Sequence, residues 1–282
     1  MKRRMVLEGG AMRGMFTTGA LDVMMENNIP YDAIVGVSAG AVFGCNFKSR
    51  QPGRVIRYNA AYCTNPHYAG LRTLVKTGDI FGEKFCYHDI PDYLDPFDYE
   101  AYRENPLEFY CVATDVNTGK AVYHRVDSCD GDGMLWLRAS ASMPVVSNIV
   151  KIGSYELLDG GIGDSLPVRY MEDLGCDRNV LITTRPADYR KGPSKMVPLA
   201  RTKLRRYPNF ITALKNRHMH YNEALDYALE REKAGGLFVI RPSKTIDVNP
   251  VEHSRQKLLA AYGMGREAMK SRLRELQEFL GR

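Results

Sequence analysis

Several things are scarce in this 282-residue chain. No two of its six cysteines form a CxxC pair, which excludes zinc ribbons and dithiol redox motifs. No stretch approaches the roughly 20 apolar residues of a membrane span. The longest charge-free run near the start, from Ala33 to Phe47, is short and broken by glycine. Glu8 and Arg13 interrupt the apolar stretch that a secretory signal would need after Met1-Lys2-Arg3-Arg4. Repeats, low-complexity tracts and linkers are absent, so solenoids and disordered arrays are excluded. Neither sign of charge dominates: 39 Lys and Arg against 33 Asp and Glu leave a net +6. That surplus suits an anionic surface or ligand without demanding nucleic acid.

What is present reads as one globular domain, 44% apolar and 26% charged. Arg4 to Leu7 and Asp32 to Val37 are short apolar runs, each followed by glycine-bearing turns and a helical period. Strand, helix, strand, helix implies a parallel sheet with right-handed crossovers. Phe109–Asp115 and Lys120–Val126 predict a hairpin around Asn117-Thr118-Gly119. Gly133–Ser142 and Pro167–Leu174 predict helices; Asn179–Thr184 and Leu237–Ile240 predict buried strands. Ser254–Leu280 carries Leu258, Tyr262, Met269, Leu273, Leu276 and Leu280 on one helical face. Residues 52–106 look irregular. Twelve of the 28 aromatics fall between Tyr58 and Tyr110, which suits ordinary core or the wall of an apolar pocket. The cysteines mostly sit among apolar neighbours, as reduced thiols of a cytosolic protein do.

Three elements could carry chemistry. Gly36-Val37-Ser38-Ala39-Gly40 matches G-x-S-x-G between a predicted strand and a predicted helix. A tight turn there exposes the serine hydroxyl, and the helix N-terminus favours a developing oxyanion. Gly9-Gly10-Ala11-Met12-Arg13-Gly14 also follows a strand and opens a helix. Such a turn gathers backbone N–H groups into one small volume. It matches neither the Walker pattern nor strict G-x-G-x-x-G, and no acidic ribose partner follows. Asp159-Gly160-Gly161 ends a short strand; it is either a plain turn or a carboxylate held near a nucleophile. Asp159 with His218, His220 or His253 would fit a Ser-acid-His order. Only two strands precede Ser38, which argues against the α/β-hydrolase fold. His218 and His220 fall in a basic helix and read as solvated.

In this order and context the elements resemble the patatin-like phospholipase family, bacterial-type lipid acyl hydrolases. Ala139-Ser140-Ala141-Ser142-Met143-Pro144 is similar to the Ala-Ser segment that precedes the family's aspartate. The resemblance covers about residues 5–185, with 186–282 as helical and basic periphery of a single domain spanning 1–282. It implies a three-layer α/β/α fold with a central, mostly parallel sheet. It implies a Ser38–Asp159 dyad, an oxyanion hole from Gly9, Gly10 and Ala11, and Arg13 at the basic position of that turn. Ala11 departs from the third glycine that many members carry, so the hole requires a backbone geometry open to alanine.

The expected reaction is hydrolysis of a lipid acyl ester through an acyl-enzyme. An acyltransferase or thioesterase using the same dyad, and a non-catalytic lipid-binding module, are the alternatives. No cofactor, metal or nucleic acid is expected. From Arg190 to Arg217 there are nine Lys or Arg and no acid. That tract reads as a solvated basic face, or as one resting on anionic lipid head groups. The expected location is cytoplasmic, with peripheral membrane contact as the variant of that reading.

Overall fold

The computed structural model describes residues 1–175 and 177–281; Cys176, one of the six cysteines, lies outside them. The chain runs β1 (Arg3–Leu7), a 3-10 turn (Ala11–Arg13), α1 (Gly14–Glu26), β2 (Ala33–Val37) and α2 (Ala39–Lys48). Then come α3 (Arg54–Tyr62), α4 (Leu71–Thr77), a π-helix (Phe85–Leu94) and α5 (Tyr99–Glu104). The hairpin β3 (Glu108–Asp115) and β4 (Ala121–Arg125) precedes α6 (Asp132–Ala141). A second hairpin, β5 (Val150–Ile152) and β6 (Tyr155–Asp159), leads into α7 (Val168–Asp173). β7 (Arg178–Ile182), α8 (Val197–Lys203), α9 (Pro208–Lys233), β8 (Leu237–Ile240) and α10 (Arg255–Phe279) complete it.

One eight-stranded sheet organises the molecule. The pairs β3–β2, β2–β1, β1–β7 and β7–β8 are parallel; β4, β5 and β6 join antiparallel. The parallel strands are buried along nearly their whole length, as both-face coverage by helices requires. One face carries the large core built on α1, α2, α3, α6 and α10. The other is covered by α7 and α9, with Leu166, Met171, Tyr221 and Leu225 against Val6, Val35 and Leu181. This is the mixed, mostly parallel α/β fold expected from the sequence.

The apolar face expected for the last helix packs on α1, with Leu258, Met269 and Leu276 fully buried. The two helices touch backbone to backbone. A Cβ on Gly265 would stand 1.9 Å from Phe16 O, and one on Gly19 would stand 2.1 Å from Tyr262 O. Only glycine allows that approach.

Residues 52–106 are more helical than expected: three short helices and a π-helix that accommodates Pro91. Each is under 11 residues and bounded by Gly, Pro or Asp, too short for a periodic signal to emerge. The β5 strand also carries no sequence signal; its three residues are equally brief. Cys45, Cys63, Cys111 and Cys129 are buried and free, and Cys86 is half-buried and free. No helix among the described residues is long and apolar enough to cross a membrane.

Candidate active site

Ser38 stands alone between β2 and α2, at φ 54° and ψ −121°. A non-glycine residue there costs on the order of 1–3 kcal/mol, which the packed sheet and helix must offset. The flanking glycines are a steric requirement. A Cβ on Gly36 would lie 2.5 Å from Gly40 O, and one on Gly40 would lie 2.4 Å from Leu7 O. The turn is therefore pressed against β1. The Ser38 N–H donates to the buried Ser140 hydroxyl at 2.9 Å. The Ala-Ser segment thus holds the elbow from the α6 side.

Register brings the carboxylate. β4 occupies one edge of β3 over residues 110–114. The opposite edge is shared by two strands meeting end to end. β2 comes up in parallel until Val37 faces Val112. β6 comes down antiparallel until Asp159 faces Ala113, the next residue. The residue after Val37 and the last residue of β6 are thereby neighbours across 121 positions of sequence. Ser38 Oγ donates to Asp159 Oδ2 at 2.6 Å. Asp159 Oδ1 accepts the Gly161 N–H at 2.8 Å, and the Asp159 N–H donates to Ser142 O at 2.8 Å. The carboxylate is 5% exposed. Burial raises its pKa; the Arg217 charge, the Ser38 and Gly161 hydrogen bonds and the Lys191 charge oppose that without cancelling it.

The glycine turn faces the same space. The Glu8 N–H makes a ladder bond to Ile182 O at 3.0 Å, and the Arg13 N–H closes on Gly10 O at 3.1 Å. Between them Gly9, Gly10 and Ala11 line a cavity together with Ser38 and Asp159. Ala11 sits at φ 49°, in the left-handed region. Alanine occupies it at a cost of about 1 kcal/mol, so the turn holds a left-handed residue there without glycine. The Arg13 side chain lines the cavity too, and its Nε is buried with no hydrogen-bond partner. Burial first, and then Arg185, lower its pKa.

Two hollows meet at Ser38. One, of about 70 Å³, is apolar; Met12, Val42, Phe43, Tyr58, Tyr68 and Ile90 are among its walls. The aromatic segment does supply a pocket wall. The other hollow, of about 160 Å³, is lined by Glu8, Arg13, Asp159, Lys191, Arg217 and Tyr221 beside the glycine turn. The solvated reading of the basic tract fails for Lys191 and Arg217. The first is only half exposed, and the second donates from Nε to Gly161 O at 2.5 Å. Arg201, Lys203, Arg205 and Arg206 are exposed, as either reading of the tract requires, and Lys203 Nζ donates to Val145 O at 2.7 Å.

Glu8, Lys191, Arg217 and Tyr221 were not singled out as site residues from sequence. The acid-free tract was the one signal pointing toward two of them. No histidine lines either hollow among the described residues. His124 stacks on Trp136, His218 bonds Lys215 O, and His253 donates to Cys63 O at 2.6 Å. Nor is any group of three or more His, Cys, Asp or Glu among them placed to hold a metal ion.

Comparison with known proteins adds independent findings. The family model described as patatin-like phospholipase matches residues 5–171. A second model, a domain of unknown function (DUF6363), matches 207–281. The uncharacterized protein YjjU of Escherichia coli K12 is 30% identical over 196 residues, 65% of this chain and 52% of that one. Lysophospholipase nte1 of Aspergillus niger is 30% identical over 181 residues, 61% of this chain and 11% of that one. A patatin-like phospholipase domain-containing protein of Caenorhabditis elegans, ZK370.4, is 26% identical over 207 residues, 68% of this chain and 15% of that one. The chain therefore spans about half the length of YjjU and a small fraction of the other two. Among solved structures, VipD from Legionella pneumophila aligns over 96% of this chain and 67% of its own, with a TM-score of 0.44 and 13% identity.

Proposed function

This chain belongs to the patatin-like phospholipase family, and from that premise we propose that it is a serine acyl hydrolase cleaving lipid esters with a Ser38–Asp159 dyad. The observation that carries the reading is the 2.6 Å bond from Ser38 Oγ to Asp159 Oδ2 at the junction of the two hollows.

Asp159 takes the Ser38 proton as Oγ attacks the ester carbonyl. The tetrahedral oxyanion turns toward the Gly9, Gly10 and Ala11 backbone N–H groups, with the α2 N-terminus beneath the elbow. Collapse breaks the ester C–O bond, and the proton on Asp159 passes to the leaving alcoholate. Water then loses a proton to Asp159 as its oxygen attacks the acyl carbonyl, and Ser38 recovers its proton as it leaves. A carboxylate is an intrinsically weak base, so its raised pKa brings it closer to the working pH. The acyl chain occupies the apolar hollow. A lipid substrate would be met at a membrane surface, which fits peripheral attachment; no helix among the described residues is long and apolar enough to span one.

A fluorophosphonate probe tests the reading. It is expected to label wild type at Ser38 and to leave folded Ser38→Ala unlabelled, with short-chain ester turnover lost in parallel. Turnover retained in Ser38→Ala would sink the mechanism.

A further inference from the structure

The apolar hollow has an evident use under the reading above; in the polar one that reading uses the glycine turn and Asp159 but leaves the cations without a role. Its walls hold three cations, Arg13, Lys191 and Arg217, against two carboxylates, Glu8 and Asp159. Both carboxylates are occupied by their own donors. Glu8 accepts the Thr184 N–H at 2.5 Å, the Thr184 hydroxyl at 3.2 Å and the Tyr221 hydroxyl at 2.8 Å. Asp159 is held by Ser38 and Gly161.

The cations are not occupied in the same way. Lys191 Nζ makes no hydrogen bond or ion pair among the described residues; it lies 4.3 Å from the centre of the Tyr221 ring. Arg13 keeps a buried, unpartnered Nε. Arg217 gives Nε to Gly161 O and forms no ion pair among the described residues. Its Nη2 would be 2.8 Å from a Cβ on Gly161, so the guanidinium end stands beside the dyad. Lys191 is pressed down to about 7, by burial first and by Arg217 next. A pocket of partly desolvated, mutually repelling cations with open donors gains most from an anion of several oxygens.

We propose that this pocket binds the phosphate group of the substrate's head, with Lys191 and Arg217 as its principal ligands and Arg13 behind them. The proposal rests on the ester-hydrolase reading above. It makes the protein selective for acyl esters of glycerol phosphate over uncharged acyl glycerols. Lys191 is the residue to test. Arg217 bonds Gly161 next to the base, so its loss would also disturb the dyad.

The test compares lysophosphatidic acid with monoacylglycerol of the same acyl chain, each in nonionic detergent micelles. In wild type, kcat/KM is expected to favour the phosphate ester. In Lys191→Met the ratio of the two values should fall about tenfold or more, the worth of a hydrogen bond to a charged group. Lys191→Arg should restore most of it. Fluorophosphonate labelling of the variants checks that they fold with a live serine.

An unchanged ratio in Lys191→Met overturns the proposal. Inorganic phosphate is the second arm. It should inhibit monoacylglycerol hydrolysis competitively, and more weakly in Lys191→Met. Inhibition that depends on Lys191 beside an unchanged ratio would mean a free-phosphate site, and the head-group assignment is then wrong. If wild type hydrolyses no ester, the functional reading fails separately. Calorimetry of inorganic phosphate then decides the pocket: weaker binding to Lys191→Met supports it, and equal binding overturns it.

Discussion

The two hollows beside Ser38 share the serine, Ala11 and Met143, and little else. The apolar one takes much of its wall from α2, α3 and the π-helix. The polar one draws on the ends of β1 and β6, the stretch after β7, and α9. In the first, burial of Tyr58, Tyr68 and Tyr87 holds the phenols neutral by pushing their pKa values far up. In the second, burial pushes Lys191 and Arg13 down and Asp159 up, so that charge is retained at a cost. Apolar surface is cheap to bury and unselective in shape, which suits a chain of methylenes. Desolvated charge is costly, and such clusters concentrate where chemistry or recognition needs them.

The sharpest break is at the border. Asp159→Asn removes the proposed base and should lower kcat by about a thousandfold, measured on a short-chain ester. The same change should raise the melting temperature at pH 7. The folded pKa of Asp159 lies above its unfolded value, so its favourable contribution exists at low pH and is lost as pH rises through the folded value. At neutral pH the buried carboxylate costs stability that asparagine would not. The difference in melting temperature should shrink as pH is lowered.

Next comes the apolar side. Ala141→Phe places a ring in the apolar hollow that Ala141 lines and that is proposed to hold the acyl chain. Excluding three methylenes at about 0.8 kcal/mol each should lower kcat/KM for long-chain esters by roughly 60-fold relative to acetyl esters. Equal losses for both chain lengths would mean that the acyl group lies elsewhere.

Arg217→Met acts on the polar side and reaches Asp159 through charge. The guanidinium is the largest influence holding the Asp159 pKa down against burial. Its removal should move the acid limb of the kcat/KM profile to higher pH, read on an uncharged ester. An unmoved limb would detach Arg217 from the dyad.

The smallest effect is the pH dependence of anion binding. Burial, and Arg217 next, press the Lys191 pKa down to about 7. Lys191 is faced by Glu8 after β1, by Arg13, by Arg185 and Tyr189 after β7, by Asp159 and by Arg217 and Tyr221 on α9. Sulfate, whose charge is constant over this range, should bind a few-fold more weakly as pH rises through 7. The decline should be absent in Lys191→Met.

Much of this was legible early. Gly36-x-Ser38-x-Gly40 announces its own backbone, because only glycine fits against the start of α2 at the first place and against β1 at the second. The β1, β2, β7 and β8 runs declare themselves as buried parallel strands because both faces are apolar. The short helices of 52–106 did not, since their burial is dictated by neighbours distant in sequence. Lys191 and Arg217 did not either. A lysine facing water and one facing a carboxylate pocket are the same letter.

The sequence by itself determined the elbow, the glycine turn and the parallel core, since local sterics and apolar patterning act over a few residues. Only the tertiary structure decided that Ser38 and Asp159 meet. Their contact depends on β2 and β6 sharing one edge of β3 with successive residues, Val112 and Ala113, as partners. Register is a property of the assembled sheet, and a slip of one residue would turn Asp159 to the opposite face. The same assembly decided which two cations of the basic tract left solvent to stand beside that pair.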